Sequence, residues 1–172
     1  MIGLKRNTVK VIPYQDDWVL AYATIEKQLK KLLKTEIQAI AHIGSTAIKG
    51  IASKPIIDIV VALENFDNLT EIRQILMQHA YEDRGQKIGG YLFVKREGDL
   101  TTHHIHFVLS SSTQYSNYLF FKHKLNTDQQ LRAEYSILKQ QLAEKYQDQR
   151  GQYTAAKNEF INKVLLLKND NI

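Results

Sequence analysis

Cysteine is missing altogether from this 172-residue chain, and proline occurs only twice. Without a thiol there is no disulfide framework, no thiolate metal site and no thiol redox chemistry, which fits a reducing, cytoplasmic setting. Long hydrophobic runs are also lacking. The greasiest stretch, Ile56 to Leu63, is interrupted by Asp58 and is far too short to span a bilayer. Met1 to Tyr14 hold scattered charge rather than the apolar centre of a secretory leader. Arginine is scarce too: most of the 23 basic residues are lysines on predicted helices. Arginine best reads phosphates and base edges, so a nucleic-acid partner is disfavoured.

What is present is globular. Hydrophobic residues make up 44% and charged residues 24%, which excludes disorder, fibrous repeats and coiled coils. A chain of this length buries about 70% of the surface its unfolded form exposes, enough for a core without staples. The expectation is one soluble domain over residues 1–172, with a core at about 10–110 and a helical tail at about 114–168. The net charge of +5 is mild. It suits a small anionic ligand and leaves oligomeric state undetermined.

Periodicity supplies the elements. Behind Asp16 or Asp17, the residues Trp18, Tyr22, Ile25, Leu29 and Leu32 recur at helical spacing. Ile37 to Ile43 reads as a strand, followed by the small-residue loop Gly44-Ser45-Thr46-Ala47. Ile56 to Leu63 reads as a central strand covered on both faces. Asn68 to Glu71 resembles a capping box opening a helix through Leu69, Ile72 and Leu76. Tyr91–Lys95 and Thr101–Leu109 form a hairpin about Glu97-Gly98-Asp99. Thr127 to Gln130 is a second capping-box signature before Leu131, Tyr135, Leu138, Leu142 and Tyr146, and a last stripe runs from Tyr153 through Ala156, Phe160 and Val164 to Leu167. The fold class is α+β, a mixed sheet flanked by helices with a helical C-terminal third.

Three features carry chemistry. Asp58 places a carboxylate in an apolar strand, which is costly unless it is paired, hydrogen-bonded or metal-bound. The plainer alternative is a strand-end acid satisfied by its neighbours. Gly44, Ser45 and Thr46 follow a strand and can turn their N–H groups and the Ser45 hydroxyl to an anion, although such a tripeptide is also a common loop. His104 and His106 alternate onto one strand face, and with a carboxylate they can hold a divalent ion. His103 falls on the other face and is assigned to structure. His42 is an outside candidate near the same mouth.

Ala41-His-Ile-Gly-Ser-Thr-Ala-Ile-Lys-Gly50, Ser53-Lys-Pro-Ile-Ile-Asp-Ile59, His104-Ile-His106, Tyr135-x-x-Leu-Lys139 and Gln152-Tyr-Thr-Ala-Ala-Lys157 together resemble the GrpB-like protein family, over nearly the whole chain. The resemblance implies a nucleotidyltransferase-like fold. In that superfamily a Gly-Ser step binds triphosphate, paired aspartates hold two Mg²⁺, and a third carboxylate follows on a later strand. Gly44 and Ser45 match the first element and Asp58 the second aspartate of the pair. Ile56 stands at the first aspartate, and His104 and His106 replace the later acid. The family's two arginines are absent from Phe121-Lys122-His123-Lys124-Leu125-Asn126.

One aspartate with two imidazoles holds too little charge for two Mg²⁺. The donor set suits at most a single divalent ion, with Mn²⁺ or Zn²⁺ better matched than Mg²⁺. The leading expectation is therefore a cleft for a nucleotide or other phosphate-bearing ligand. Ser45 and the Gly44–Thr46 backbone cradle phosphate, Lys54 neutralises charge, and Asp58, His104 and His106 hold a metal, with phosphoryl or nucleotidyl transfer as the associated chemistry and Asp58 as the catalytic candidate. The alternative is a binding module without turnover, with Tyr118, Phe120, Phe121 and Tyr135 either forming a partner surface or packing in the core.

Overall fold

The structure, a computed structural model, describes residues 1–34 and 37–168. Among them the order is β1 (Leu4–Lys5), α1 (Asp17–Leu33), β2 (Ala39–Ile43), β3 (Ile57–Leu63), α2 (Leu69–Gln78), β4 (Tyr81–Lys87), β5 (Gly90–Glu97), β6 (Leu100–Leu109), α3 (Thr113–Thr127), α4 (Gln129–Lys145), α5 (Arg150–Ala156) and α6 (Asn158–Leu166). This is the expected α+β architecture. The strands run β2-β3-β6-β5-β4, with β1 on the start of β6. The pair β3–β6 is parallel and the other pairs are antiparallel. Among the described residues no helix is long and apolar enough to cross a membrane.

Alternation along β3 and β6 sorts the core into two sides. Ile57, Ile59, Val61 and Leu63 join Ile105 and Phe107 against α1 and α2, where Trp18, Leu29, Ile72 and Leu76 complete the cluster. On the opposite face Ile43, Val60 and Val108 meet Tyr115 and Tyr118 of α3. Beyond them Leu125, Leu131, Tyr135, Phe160 and Val164 knit α3, α4 and α6 around Ile48 and Ile51. Each such aliphatic side chain contributes about 1.5–3 kcal/mol when fully buried. Helices therefore cover both faces of β3, as its apolar run predicts, and Asp58 is the exception within it.

Several local details differ from expectation. β4 has no counterpart in the sequence pattern, because Tyr81-Glu-Asp-Arg-Gly-Gln-Lys87 lacks alternation. It is an edge strand bent by an irregularity between Asp83 and Gln86, so water reaches its charges and Arg73 can pair with Asp83 at 2.8 Å. The cap of α4 is Asp128, whose carboxylate accepts from the Leu131 N–H at 3.0 Å, while the Thr127 hydroxyl donates back to the His123 carbonyl within α3. Asn68 occupies the N-cap of α2 without a side-chain cap bond. The final stripe divides into α5 and α6, with Lys157 at the junction.

Candidate functional site

Three segments converge beside the start of β3. β2 ends at Ile43, and Gly44 turns the chain at φ +69° into one 3₁₀ turn, Ser45–Ala47. Asn126 of α3 pins that turn, donating from Nδ2 to the Ala47 carbonyl at 3.2 Å and accepting from the Lys49 N–H at 3.1 Å. Sheet register sets Ile43 against Asp58 and Asp58 against His104. The turn, the carboxylate and the first imidazole thus stand side by side.

His104 Nδ1 is 2.8 Å from Asp58 Oδ1, and His106 Nε2 is 3.9 Å from the same oxygen. The Tyr118 hydroxyl approaches His106 Nδ1 at 3.4 Å. Burial pushes the Asp58 carboxyl up, but hydrogen bonding and charge from His104 and His106 outweigh it and hold the group well below the usual carboxylate range. Ligand atoms of Asp58, His104 and His106 all lie within 4.8 Å of one another. One carboxylate and two imidazoles make a donor set that fits a single Mn²⁺ or Zn²⁺. His103, on the other face, pairs through Nε2 with the Tyr81 hydroxyl at 3.1 Å.

A cavity of about 430 Å³ opens here, lined by Gly44, Ser45, Thr46, Lys54, Asp58, His104 and His106 together. That volume is in the range of small-molecule sites. Thr46 contributes without its hydroxyl, which lies 2.9 Å from His42 Nε2 and donates to the Ile56 carbonyl at 3.4 Å. His42 itself is a correction. Alternation gives Ile43, not His42, to the cavity side, and the buried His42 ring stacks on Tyr22 at 4.9 Å. Burial, aided by Lys122, pushes it down to about 4.

Sequence reasoning missed the cations of the tail. Arg150 Nη2 reaches His104 Nε2 at 3.3 Å, supplying an arginine from α5 where the Phe121–Asn126 segment has none. Lys157 and Lys54 lie 4.7 and 4.8 Å from the centre of the Tyr153 ring. Burial, with Lys157 and Arg150 assisting, drives Lys54 down to about 7, and burial drives Lys157 down to about 8 despite Asp58. Lys139 is 1% exposed and donates to the Ala52 carbonyl and to Ser53 Oγ, bracing the segment that presents Lys54. The one visible signal was a Tyr-x-x-x-Lys spacing, Tyr135 to Lys139 and Tyr153 to Lys157, which puts each ammonium over its tyrosine ring. Tyr118, Phe121, Tyr135 and Tyr153 line the cavity wall. Phe121 packs edge-on against Tyr135, and Phe120 is partly buried in the same cluster, so these aromatics pack inward rather than forming an outer face.

Comparison with known proteins bears on the family and the fold. A family model described as "GrpB protein" matches residues 8–166. The chain is 30% identical over 157 residues to UPF0157 protein YqkA of Bacillus subtilis, covering 91% of this chain but only 46% of that protein, so it spans about half the length of that relative. It is 29% identical over 171 residues to glutamate-rich protein GrpB of Alkalihalophilus pseudofirmus, covering 96% and 98% of the two chains. The solved structure of conserved protein GrpB from Enterococcus faecalis superposes with a TM-score of 0.83 at 30% identity, over 90% of this chain and 94% of that one.

Proposed function

We propose that this chain, which belongs to the GrpB protein family, uses its cleft to bind a nucleotide or another small phosphate-bearing molecule. The observation that carries the reading is charge: Lys54, Arg150 and Lys157 line the cavity, and Asp58 is the one acid among the described residues that line it. Desolvated cations in such excess favour a multiply charged anion. Ser45 and the Gly44–Thr46 backbone meet the phosphate, and the three cations neutralise it. Tyr118, Phe121, Ile161 and Leu165 line the cavity as well and take the organic part of the ligand.

Asp58, His104 and His106 would hold one divalent ion alongside that ligand. When bound, the ion would polarise a phosphoryl oxygen and favour phosphoryl or nucleotidyl transfer. A second reading, binding without turnover, is favoured by the single carboxylate, because two-metal transfer draws on several. Either way the phosphate is held by the same groups, with Asp58 orienting His104.

A thermal-shift screen over inorganic phosphate, pyrophosphate and nucleoside mono-, di- and triphosphates, with and without Mn²⁺ or Zn²⁺, tests this. A compound at about 100 times its Kd stabilises the fold by about 2.7 kcal/mol. The expected hit carries phosphate and weakens in Lys54→Met and Lys157→Met. A screen in which no phosphate compound raises Tm overturns the reading.

A further inference from the structure

One polar contact in the cleft is a contact that a phosphate would break. Arg150 rests on His104 Nε2 at 3.3 Å, and among the described residues no carboxylate lies within ion-pair distance of it. A guanidinium carries only donors. The His104 Nε2 lone pair therefore faces it, and the ring proton is on Nδ1, donated to Asp58 Oδ1 at 2.8 Å. Asp58 and Arg150 together set the tautomer of His104, and the arginine closes off its second nitrogen.

This has a consequence for a cation. An ion bound beside Asp58 needs the lone pair of the nitrogen facing that carboxylate, His104 Nδ1. The ring proton must then move to Nε2, head-on against the guanidinium N–H groups. The ion and the arginine cap exclude each other. Arginine binds phosphate oxygens through charge-assisted, often bidentate bonds that are about twice as strong as neutral ones. A phosphate in the cavity outcompetes a neutral imidazole for the same side chain.

We propose that Arg150 is a two-position arm: it caps His104 in the free protein and crosses to the phosphate when the cleft fills, releasing His104 to a divalent ion, so that anion and cation bind cooperatively. This rests on the phosphate-binding reading above and deepens it. No net proton is taken up or lost at the ring, since the proton leaving Nδ1 is replaced by one on Nε2.

The test uses the full chain, inorganic phosphate and Mn²⁺. Two-bond ¹H–¹⁵N spectra of the histidine rings, with His104 assigned by its absence in His104→Gln, report the tautomer and the Nε2 contact. The paramagnetic signal of free Mn²⁺ reports affinity. In the unsubstituted protein His104 is expected in the Nδ1–H form, phosphate is expected to move its Nε2 resonance, and Mn²⁺ is expected to bind about tenfold more tightly with phosphate, an ordinary coupling between sites. Arg150→Met should bind Mn²⁺ without phosphate as tightly as the parent does with it, and phosphate should add little. Lys122→Met removes a half-buried cation that does not line the cavity and leaves the His104 contact intact, and it should keep the phosphate dependence. If phosphate stabilises the protein while the His104 resonances stay in place, the arm is refuted and the binding reading stands. Equal loss of coupling in Lys122→Met, or no Mn²⁺ binding by any variant, also refutes it. If phosphate gives no thermal stabilisation, it is the binding reading that fails.

Discussion

Gly44 and Asp58 approach so closely that a methyl group on Gly44 would lie 2.6 Å from Asp58 Oδ2. The Gly44 backbone, at φ 69° and ψ −171°, also occupies a region reserved almost entirely for glycine. Gly44→Ala is therefore expected to lose about 1–3 kcal/mol from backbone strain, with a further loss from displacing the carboxylate. Urea unfolding measures the first effect. Weakened ligand stabilisation in the thermal-shift assay measures the second.

Asp58→Asn separates the two kinds of ligand. The substitution removes the only acid among the described cavity-lining residues, so phosphate affinity should rise while Mn²⁺ or Zn²⁺ affinity falls below detection. Burial raises the Asp58 carboxyl, but His104 and His106 hold it low. Its stabilising contribution is therefore present above the unfolded value of about 3.9 and is lost as pH falls through the lower folded value. Acid unfolding curves should differ between the two proteins mainly below about pH 4.

The crowded cations should leave a mark of the same sign at the alkaline end. Folding depresses Lys54 to about 7 and Lys157 to about 8, whereas an unfolded lysine titrates near about 10.4. Between those values the unfolded chain holds more protons, so stability should rise with pH from about 7 to about 10. Phosphate affinity should fall over the lower part of that window as the ammoniums discharge. The double variant Lys54→Met, Lys157→Met should flatten the rise in Tm, and a parent protein whose Tm is flat there would contradict the assignment.

His42 and His103 act on the acid side. Burial pushes His42 to about 4 and His103 to about 3, below the unfolded value of about 6.5. As pH falls from about 6.5 toward 4, the unfolded chain gains protons that the fold excludes, so stability declines. His42→Phe keeps an aromatic ring against Tyr22 and should reduce that slope in pH-dependent urea titrations. An unchanged slope would place the effect elsewhere.

Alternation and spacing made much of this protein readable from its residues alone. Period-two patterning put His104 and His106 on one strand face and His103 on the other, and the apolar run around Asp58 marked an interior strand with one anomalous acid. Those are local properties, set by backbone geometry over a few residues. β4 is illegible in the pattern because an edge strand has half its backbone in water and needs no apolar alternation, and Thr127 reads as a cap although Asp128 does that work one position later.

The cations were decided by packing. Arg150 meets His104 across 46 positions and Lys139 meets Ser53 across 86; nothing near Arg150 in the chain distinguishes a buried cation from a solvated one, and near Lys139 only Tyr135, four positions earlier, does. The sequence by itself determined which strand faces carry the carboxylate, the imidazoles and the serine turn. Only the tertiary structure brought α4, α5 and α6 over that face, because burial of Tyr135, Tyr153, Phe160 and Val164 places the tail, and the lysines and arginine travel with it.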